Sequence, residues 1–477
     1  MTGQIRSVLL DGWWDPAFVF TALYAREAYA FWLDGGTNAK NGMSYLGAAL
    51  AGRVVTASVD DGTVTVARPG DPAGNVEPAT IFEFLREDLA AIPIDDPGGT
   101  GGFRLGWVGW LGYELAAQTT GTPVHEACTP DAAFMFADRA IAFDHRAGTV
   151  TLLALERGTD ASGATEAWAR AVRERLGDAG AAGRDGRGDD GCASVTDERT
   201  PPTARWRHSP EHYETLVLAC QDAIRRGDAY QLCLTNEIEV DSSPDPLDAY
   251  LRLRSSSPTH HGGLLRFGGV SLLSASPEQF LKVTADGLVT TKPIKGTRAR
   301  AAGSARDRQV RAELEASDKE RAENLMIVDL MRNDLGRVAA LGSVTVSELL
   351  AVESYAHVHQ LVSTIQARLA HGLTGVDAVE ACFPAGSMTG APKFSAMTIL
   401  DGLEGGPRGV YAGAFGYFGL DGAVDLAMVI RSIVLDRDGA RIGTGGGITA
   451  LSVPVEEIEE TRVKARALLA VLGVVDR

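Results

Sequence analysis

The sequence predicts a large mixed protein of the α/β (α+β) class, a two-lobed β-sandwich flanked by helices. Two observations carry this prediction. Short apolar runs separated by Gly-rich turns fill residues 1 to about 155, which is typical of a mainly β region. Beyond residue 206, strand-like and helix-like runs are segregated more than they alternate, so a doubly wound array is less favoured.

Composition restricts the classes of function. With 477 residues, 45% of them hydrophobic, the chain can bury an ample core, and no run of about 18 apolar residues or charged-then-apolar leader is present. The formal charge of −17 argues against nucleic-acid and anionic-membrane partners. Five scattered cysteines without a CxxC spacing fit reduced thiols. We therefore expect a soluble, cytoplasmic protein.

The chain is expected to divide at a polar, Gly-rich stretch. Residues 180–205, "GAAGRDGRGDDGCASVTDERTPPTA" and its neighbours, have almost no large apolar groups and are predicted to form a flexible linker. This boundary gives an N-terminal lobe over 1–179 and a catalytic lobe over 206–477. Strands of the first lobe are predicted in "SVLLDGW", "AFWLDGG", "FRLGWVGWLGYEL" and "TVTLLALERG".

The second lobe begins with a well-marked helix. Ser209 is its predicted N-cap, Pro210 its first residue and Gly227 its end. Further helices are predicted in 308–339, 375–382 and 454–472. Strands are predicted in "AYQLCLTNEIEV", "GGLLRFGGVSLLSAS", "QFLKVTADGLVTTKPI", "GVYAGAFGYFGL", "VDLAMVIRSIVLD" and "ARIGTGGGI".

Two helices each carry a pair of glutamates three residues apart. Glu320 and Glu323 share one face, as do Glu457 and Glu460. A capping box from Ser317 explains Glu320 equally well, and ordinary first-turn acids explain the second pair. Two such pairs together match the all-oxygen, partly hydrated coordination that Mg²⁺ prefers.

Two features near the end of the chain indicate an anion site. The glycines of "GTGGGIT", residues 443–449, form either an anion-binding nest of backbone N–H groups or a tight hairpin. Arg431 lies in the apolar run "LAMVIRSIVL", and an arginine buried in a strand needs a carboxylate or phosphate partner. Both features remain ambiguous when taken singly.

Three further residues are of types used in catalysis. Glu278 follows a proline at the start of a strand, where a carboxylate is usually inert. In "FPAGSMTGAPK", Ser387 is either part of an N-cap turn or a donor to a carboxylate. Lys295, in "TKPIKGTRAR", lies between an apolar residue and a flexible glycine, where a surface lysine in a turn fits poorly.

Together these segments resemble the chorismate-utilising enzymes, the family that includes anthranilate, aminodeoxychorismate, isochorismate and salicylate synthases. The resemblance rests on "GWVGWLGYE", "GDAYQLCLT", "SASPEQF", "PIKGTRAR", "AENLMIVDLMRNDLGRV", "VHQLVSTIQARL", "FPAGSMTGAPK", "GAFGYFG", "MVIRSIV" and "VEEIEETRVKARALL". These stretches occur in family order from about residue 103 to 472. The resemblance implies an anthranilate synthase component I-like fold, with the two lobes forming one unit.

The resemblance also assigns roles. It implies Mg²⁺ as cofactor, with Glu323 and Glu460 as ligands and Glu320 and Glu457 beside them, and chorismate as substrate. The metal and a few cations would then invert the local field of an acidic protein. The residues implied to line the substrate pocket are Arg431, Tyr417, Gly445, Gly446, Gly447, Lys464, Ser387, Gln231 and Thr297.

Lys295 distinguishes members of the family. Aminodeoxychorismate synthases have lysine there, and the anthranilate, isochorismate and salicylate synthases have alanine. Resemblance therefore implies that Lys295 attacks C2 of chorismate while Glu278 protonates the departing C4 hydroxyl, after which ammonia adds at C4. Gln231 replaces the lysine base that activates water in isochorismate synthases, and Gln360 replaces a histidine of anthranilate-type members. Both replacements disfavour the competing reactions.

The resemblance leaves the ammonia source and the product to be tested. We find no glutaminase motif, so ammonia is expected from a glutamine amidotransferase subunit or from free ammonium. Ser44 matches a serine of the family's tryptophan pocket, so tryptophan is a possible regulatory or structural ligand. The alternatives are an anthranilate synthase component I, a 2-amino-2-deoxyisochorismate synthase, or a non-catalytic scaffold that only docks a glutaminase.

Overall fold

The fold is described from a computed structural model of the chain. It covers residues 2–37, 39–49, 52–71, 74–95, 102–157, 161–185, 202–355 and 358–474. Within these ranges, no helix combines the length and the apolar character needed to cross a lipid bilayer. Cysteines at 128, 220, 233 and 382 are all free thiols.

The described residues form strands and helices in the following order. The strands are β1 Gln4–Leu10, β2 Tyr29–Asp34, β3 Met43–Ala48, β4 Val54–Ser58, β5 Thr63–Ala67, β6 Asn75–Glu77, β7 Gly106–Leu111, β8 Ala132–Ala137, β9 Arg139–Asp144, β10 Thr149–Glu156, β11 Ala204–Trp206, β12 Gln231–Val240, β13 His261–Phe267, β14 Val270–Ser276, β15 Gln279–Val283, β16 Leu288–Thr291, β17 Ile294–Ala299, β18 Thr345–Ser354, β19 Val358–Arg368, β20 Gly390–Ala391, β21 Ala414–Gly419, β22 Val424–Met428, β23 Ser432–Asp436 and β24 Gly439–Ile448. The helices are α1 Pro16–Tyr24, α2 Ile81–Ala90, α3 Ala116–Thr120, α4 Ala161–Asp185, α5 Pro210–Arg226, α6 Pro246–Ser256, α7 Ser304–Glu315, α8 Asp318–Gly336, α9 Gly375–Cys382, α10 Lys393–Glu404 and α11 Pro454–Val471. Short 3₁₀ turns occupy Tyr113–Leu115 and Gly386–Met388.

The strands form two large antiparallel sheets. The first runs β1-β10-β9-β3-β2-β13-β14-β23-β24-β12-β11, with β20 pairing to β12. The second runs β17-β19-β16-β15-β22-β21-β7-β8-β4-β5-β6, with β18 pairing to β19. Each sheet contains strands from both sides of residues 180–205, because β13 pairs with β2 and β21 pairs with β7. This architecture confirms the predicted fold class.

Apolar side chains fill the space between the sheets and beneath the helices. The largest cluster joins residues of the first sheet, such as Phe31 and Leu265, to Trp107 and Trp110 of the second. A second cluster packs α1, α4, α6 and α11 on the first sheet, and a third packs α5 and α10 against β12. The helices that border the site are therefore held by burial of one apolar face.

Local sequence signals were reliable for some elements and incomplete for others. Helix α5 has Ser209 as N-cap, with its side chain accepting from the His212 amide, and ends at a left-handed Gly227, as predicted. The single helix predicted over 308–339 is two helices, α7 and α8. Ser317 is the N-cap of α8 but makes no side-chain cap bond, so the capping box with Glu320 is not formed.

Only part of the predicted linker lies within the described residues. Residues 180–185 form the end of α4, a helix that the sequence interpretation missed, and residues 202–205 lead into β11. The rest of 180–205 lies outside the described residues. The division into lobes at 1–179 and 206–477 stays a prediction.

A buried carboxyl group near the first lobe makes stability depend on pH. Glu114 is 2% exposed; one carboxyl oxygen accepts the Arg408 amide at 2.8 Å, and the other has no partner among the described residues. Burial raises the pKa of Glu114 from its ordinary 4.5 to about 8. Between these values the folded state binds more protons than the unfolded state, so stability falls as pH rises.

We expect Glu114→Gln to remove this dependence. The free energy of unfolding of the wild type should fall by up to ~1.4 kcal/mol per pH unit from this group, and the variant should be flatter and more stable near the upper end of the window. Urea unfolding between about pH 5 and about pH 8 measures both effects. The exposed Glu214→Gln is the matched control, and an unchanged slope in Glu114→Gln would contradict the prediction.

Candidate active site

The predicted catalytic residues, the four glutamates, Ser387 and the glycines come from six separate elements. Lys295 lies on β17, Glu320 and Glu323 on the first turns of α8, and Glu457 and Glu460 on the first turns of α11. The β14–β15 connection carries Glu278, the 3₁₀ turn carries Ser387, and β24 carries the glycines 445–447. Long-range folding is what brings these segments together.

Glu278 is the centre of a compact hydrogen-bonded group. It is 8% exposed, and its carboxyl group accepts from the Ser387 hydroxyl and from the Ile294 amide. Burial raises the pKa of Glu278, while the charge of Lys295 and these hydrogen bonds oppose the rise. A carboxyl group in this environment keeps its proton to a higher pH than an exposed glutamate does.

Lys295 lies in an irregularity of an edge strand. β17 pairs with β19, but the register shifts between Ile294 and Thr297, so Lys295 and Gly296 form a bulge. Gly296 has φ +83°, and a Cβ there would lie 2.9 Å from Cδ of Glu320. A larger residue at 296 would therefore clash with the Glu320 side chain and strain the backbone.

Lys295 interacts with its acidic neighbours without pairing to any one of them. The residue is half-buried, and within the described residues its ammonium group makes no ion pair. Its charge acts on the carboxylates of Glu278, Glu323 and Glu460. The structure thus brings the predicted nucleophile, the predicted acid and two predicted metal ligands into one electrostatic cluster.

Glu320, Glu323, Glu457 and Glu460 are called the acidic cluster below. Three of these four glutamates are paired with basic side chains. Arg298 contacts Glu320 at 2.7 Å, Lys464 contacts Glu460 at 2.6 Å, and Lys319 lies 3.8 Å from Glu457. Lys464 also donates to the Gly445 carbonyl at 2.6 Å.

Burial and neighbouring charges shift the pKa values of three glutamates of the acidic cluster. Burial raises the pKa of Glu323, opposed by Lys295 and Lys319 and assisted by Glu460 and Glu457. Burial likewise raises the pKa of Glu457, with a smaller contribution from Glu460. Burial acts in the same sense on Glu460, but Lys464, Lys319 and Lys295 outweigh it and hold the pKa of Glu460 below its ordinary value.

The glutamates offer the carboxylate oxygens that a divalent metal ion takes as ligands. Carboxylate oxygens from two helices face a shared region, and one buried oxygen of Glu320 has no hydrogen-bond partner among the described residues. Within the described ranges, no three or more Asp, Glu, His or Cys side chains are grouped so that they could hold a metal ion by themselves. A divalent ion here would need waters or substrate oxygens as most of its ligands, which Mg²⁺ tolerates.

The glycine run forms neither a nest nor a hairpin. Gly445, Gly446 and Gly447 lie in β24 and pair with Thr235, Leu234 and Cys233 of β12. β23 pairs with β24 only as far as Arg441, so among the described strands nothing covers the other edge of this segment. A Cβ on Gly446 would lie 3.1 Å from Glu457 Oε2, which explains the need for glycine beside the cluster.

The prediction that Arg431 is buried in a strand is wrong. Arg431 lies in a bend between β22 and β23, has φ +53° and is exposed. Its guanidinium makes no hydrogen bond or ion pair within the described residues. Partial loss of water still lowers the pKa of Arg431, opposed by the nearby Tyr411 and Glu460. It is a free cation on the border of the acidic cluster, available to an anion.

The sequence interpretation chose Tyr417, and the structure points to Tyr411 instead. The ring of Tyr417 packs against Phe103 and Tyr45 in the core, with centroid distances of 4.8 and 6.1 Å. Tyr411 contacts the backbone of Gly443, and burial raises its pKa while Arg431 opposes the rise. Both tyrosines lie in the same Gly-rich stretch, and nothing in the sequence of that stretch indicates which of them lies at the site.

The remaining predicted pocket residues are divided between buried and exposed positions. Gln231 is 2% exposed and packs on Gly447; its amide oxygen has no hydrogen-bond partner in the described ranges. Thr297 is exposed and accepts a 3.4 Å hydrogen bond from Gln360. Gln231 is thus better placed than Thr297 to offer an acceptor inside the protein.

Ser44 belongs to a separate polar network. Its hydroxyl accepts the Gly35 amide at 2.9 Å and contacts His145 Nε2 at 2.8 Å. The neighbouring Asp34 pairs with Arg254 at 2.5 Å. None of these residues belongs to the acidic cluster, and whether this network binds tryptophan stays a prediction.

A cavity of about 560 Å³ lies on the other side of Tyr411 and Gly443. Its lining does not include Lys295, Glu278 or the four glutamates. Its arginines 205, 207, 408 and 441 are each ion-paired to an acid. We therefore place the candidate active site at the acidic cluster and Lys295, and not at this cavity.

The two-sheet fold and this cluster define a class of protein. The model of the chorismate binding enzyme family matches residues 29–470, which spans both sheets and every residue of the cluster. The chain belongs to the chorismate binding enzymes.

Individual relatives refine this assignment. The chain is 45% identical to the aminodeoxychorismate synthase of Streptomyces pristinaespiralis over 96% of its own length and 64% of that protein's length. It is 34% identical to anthranilate synthase component 1 of Mycobacterium tuberculosis, covering 97% of this chain and 91% of that one. The crystal structure of anthranilate synthase component I from Streptococcus pneumoniae TIGR4 superposes with a TM-score of 0.72 at 27% identity, covering 92% of each chain.

Proposed function

We propose that this chain converts chorismate and ammonia to 4-amino-4-deoxychorismate and water. The observation that carries the proposal is Lys295 in the β17 bulge, electrostatically coupled to the hydrogen-bonded Glu278. The 45% identity to proteins named aminodeoxychorismate synthase supports the same choice. Anthranilate synthase component 1 is a more distant relative, at 34% identity.

The first half of the reaction replaces the C4 hydroxyl by a bond to the enzyme. The Lys295 amine attacks C2 of chorismate, both ring double bonds shift by one position, and the C4 hydroxyl leaves as water with a proton from Glu278. Ser387 and the Ile294 amide hold the Glu278 carboxyl group in position. The product of this half is a covalent lysine adduct.

The second half restores the lysine. Ammonia adds at C4, the two double bonds shift back, the Lys295 nitrogen leaves C2, and one proton of the incoming ammonia returns to Glu278. The amino group therefore takes the position of the original hydroxyl, and the enolpyruvyl group stays on the ring. Two allylic displacements account for this retention of position.

Other residues of the cluster would bind the substrate. Glu320, Glu323, Glu457 and Glu460 would hold Mg²⁺, which supplies positive charge for one carboxylate of chorismate. Arg431 offers an unpaired guanidinium for the second carboxylate, with the open edge of Gly445 to Gly447 beside it. Lys464 neutralises Glu460 at the border of this region.

Ammonia is proposed to come from a glutamine amidotransferase partner or from free ammonium. The buried amide oxygen of Gln231 offers an acceptor for its N–H groups and, unlike a lysine, is no base for activating water. We propose the cytoplasm as the compartment, since the free cysteines fit a reducing environment.

Product analysis tests the proposal. The pure chain should turn over chorismate with MgCl₂ and ammonium chloride, and chromatography with mass spectrometry should show 4-amino-4-deoxychorismate. Anthranilate as the main product would instead identify an anthranilate synthase, and 2-amino-2-deoxyisochorismate would identify the third candidate. No turnover despite chorismate binding would favour the docking scaffold.

Glu278→Gln is expected to lower the turnover number by about 10²-fold or more, because the departing hydroxyl loses its proton donor. Since the reaction needs protonated Glu278, wild-type turnover should fall as pH rises through the pKa of Glu278, above the ordinary value for glutamate. The variant should lose that fall. The exposed Glu214→Gln makes the same chemical change and serves as the control. Wild-type turnover by Glu278→Gln would contradict the proposed role of Glu278 as proton donor.

A further inference from the structure

Lys319 connects the two helices that carry the acidic cluster. It lies in the first turn of α8, next to Glu320, and its Nζ reaches to 3.8 Å from Glu457 Oε1 on α11. The Glu457 side chain is only 3% exposed, whereas that of Lys319 is 49% exposed. One end of this ion pair is therefore fixed in the protein and the other can withdraw into water.

The charge of Lys319 acts on most of the cluster. It lowers the pKa of Glu323, Glu457 and Glu460, while Arg298 pairs with the fourth carboxylate, Glu320. Glu323, Glu457 and Glu460 also repel one another, which raises the pKa of Glu323 and Glu457. Lys319 is thus a cation of α8 that lies within ion-pair distance of a buried carboxylate on α11.

We propose that Lys319 is an internal counter-ion that competes with the divalent cation for the acidic cluster and so sets the affinity of the site for Mg²⁺. This inference rests on the proposed function of the four glutamates as Mg²⁺ ligands. Binding of the divalent cation displaces Lys319 from Glu457, and the long side chain turns to solvent. Lys319 is accordingly a tuning residue and not a metal ligand or a catalytic residue.

Titration calorimetry with MgCl₂ tests the competition. Removal of one positive charge at a half-exposed pair should tighten Mg²⁺ binding of Lys319→Met about two- to fivefold relative to wild type, and Lys319→Arg should restore wild-type affinity. Arg321→Met is the matched control: it changes the same charge in the same helical turn, but its guanidinium bonds the Glu315 carbonyl. The difference should shrink in ~1 M KCl, where charges are screened.

Thermal unfolding gives a second readout that does not depend on turnover. Without divalent cation, Lys319→Met should unfold at a lower temperature than Arg321→Met, because the carboxylates lose a neutralising charge. With saturating MgCl₂ it should gain more stability than the wild type, since tighter binding to the folded state stabilises it further. Equal gains in the two variants would overturn the proposal.

The remaining outcomes separate the inference from the function on which it rests. If the wild type binds Mg²⁺ and Glu323→Gln weakens that binding, the proposed metal site stands. Unchanged or weaker Mg²⁺ binding in Lys319→Met would then overturn the role of Lys319 alone. A higher KM for chorismate with unchanged Mg²⁺ affinity would do the same and make Lys319 a substrate ligand. Equal binding by wild type and Glu323→Gln would instead remove the metal site and the inference together.

Discussion

Lys295→Ala should lower the formation of 4-amino-4-deoxychorismate from chorismate, Mg²⁺ and ammonium by about 10³-fold or more. The reason is that a covalent route loses its nucleophile, and no other amine is available at the same bulge. The effect should fall mainly on the turnover number, because Arg431, which would bind chorismate, and the glutamates that would hold Mg²⁺ are unchanged. Initial rates by product chromatography measure both kinetic constants.

The control for this experiment lies three residues earlier. Lys292 lies between β16 and β17 and pairs with Glu353 at 3.1 Å, so Lys292→Ala removes a lysine without touching the cluster. Mass spectrometry of quenched wild-type enzyme should show a chorismate-derived adduct on the peptide with Lys295, absent from the variant. Product formation by Lys295→Ala at the wild-type rate would refute the nucleophile.

Local signals in the sequence were sufficient where structure depends on neighbours along the chain. Ser209, Pro210 and Gly227 define α5 because capping and left-handed termination are properties of a few adjacent residues. The catalytic motifs likewise identify Lys295, Glu278 and the two glutamate pairs. The structure brings these residues near one another, and their roles stay predictions.

Features set by distant contacts could not be derived in this way. Arg431 stands in an apolar run that looks like one continuous strand, but the chain must cross there from the second sheet to the first. The crossing produces a bend at Arg431 and leaves its side chain outside the core. The apolar pattern of "LAMVIRSIVL" records burial on both sides of the bend and contains no signal for the bend itself.

The glycines of β24 illustrate the same limit. A run of glycines predicts close approach of some partner but does not say which. Here the partners are the side chains of Glu457, on helix α11, and of Gln231, on strand β12. Tyr411 and Tyr417 could not be ranked for a related reason, because the register of β21 against β7 places one in the core and leaves the other beside Gly443.

The largest expected effect on stability comes from Arg408→Leu. Arg408 is 5% exposed and donates to both carboxyl oxygens of Glu404, to the Met388 carbonyl at 2.6 Å and to the Cys233 carbonyl at 2.9 Å. Its guanidinium carbon lies 4.2 Å from the centre of the Tyr113 ring. One side chain thus links α10, β12 and the turn that carries Ser387.

Removing only the arginine leaves Glu404, 3% exposed, as a buried charge with the Thr235 amide as its remaining recorded donor. Loss of one partner of a buried pair costs about 3–5 kcal/mol, so the free energy of unfolding should fall by that amount. The double variant Glu404→Leu with Arg408→Leu should recover much of the loss, since no uncompensated charge remains. Urea unfolding of all three proteins measures this coupling.

A control and a functional consequence make the prediction specific. Arg226→Leu breaks an exposed pair with Asp228 and should change stability by less than about 1 kcal/mol. The double variant, although stable, lacks the donor to the Met388 carbonyl, next to Ser387, so the hydroxyl that holds Glu278 loses its support. We therefore expect its turnover to stay below that of the wild type while its unfolding curve returns toward wild type. A stability of Arg408→Leu within about 0.5 kcal/mol of wild type would show that Glu404 is not a buried charge at all, since an unpaired carboxylate at that depth cannot be accommodated without cost.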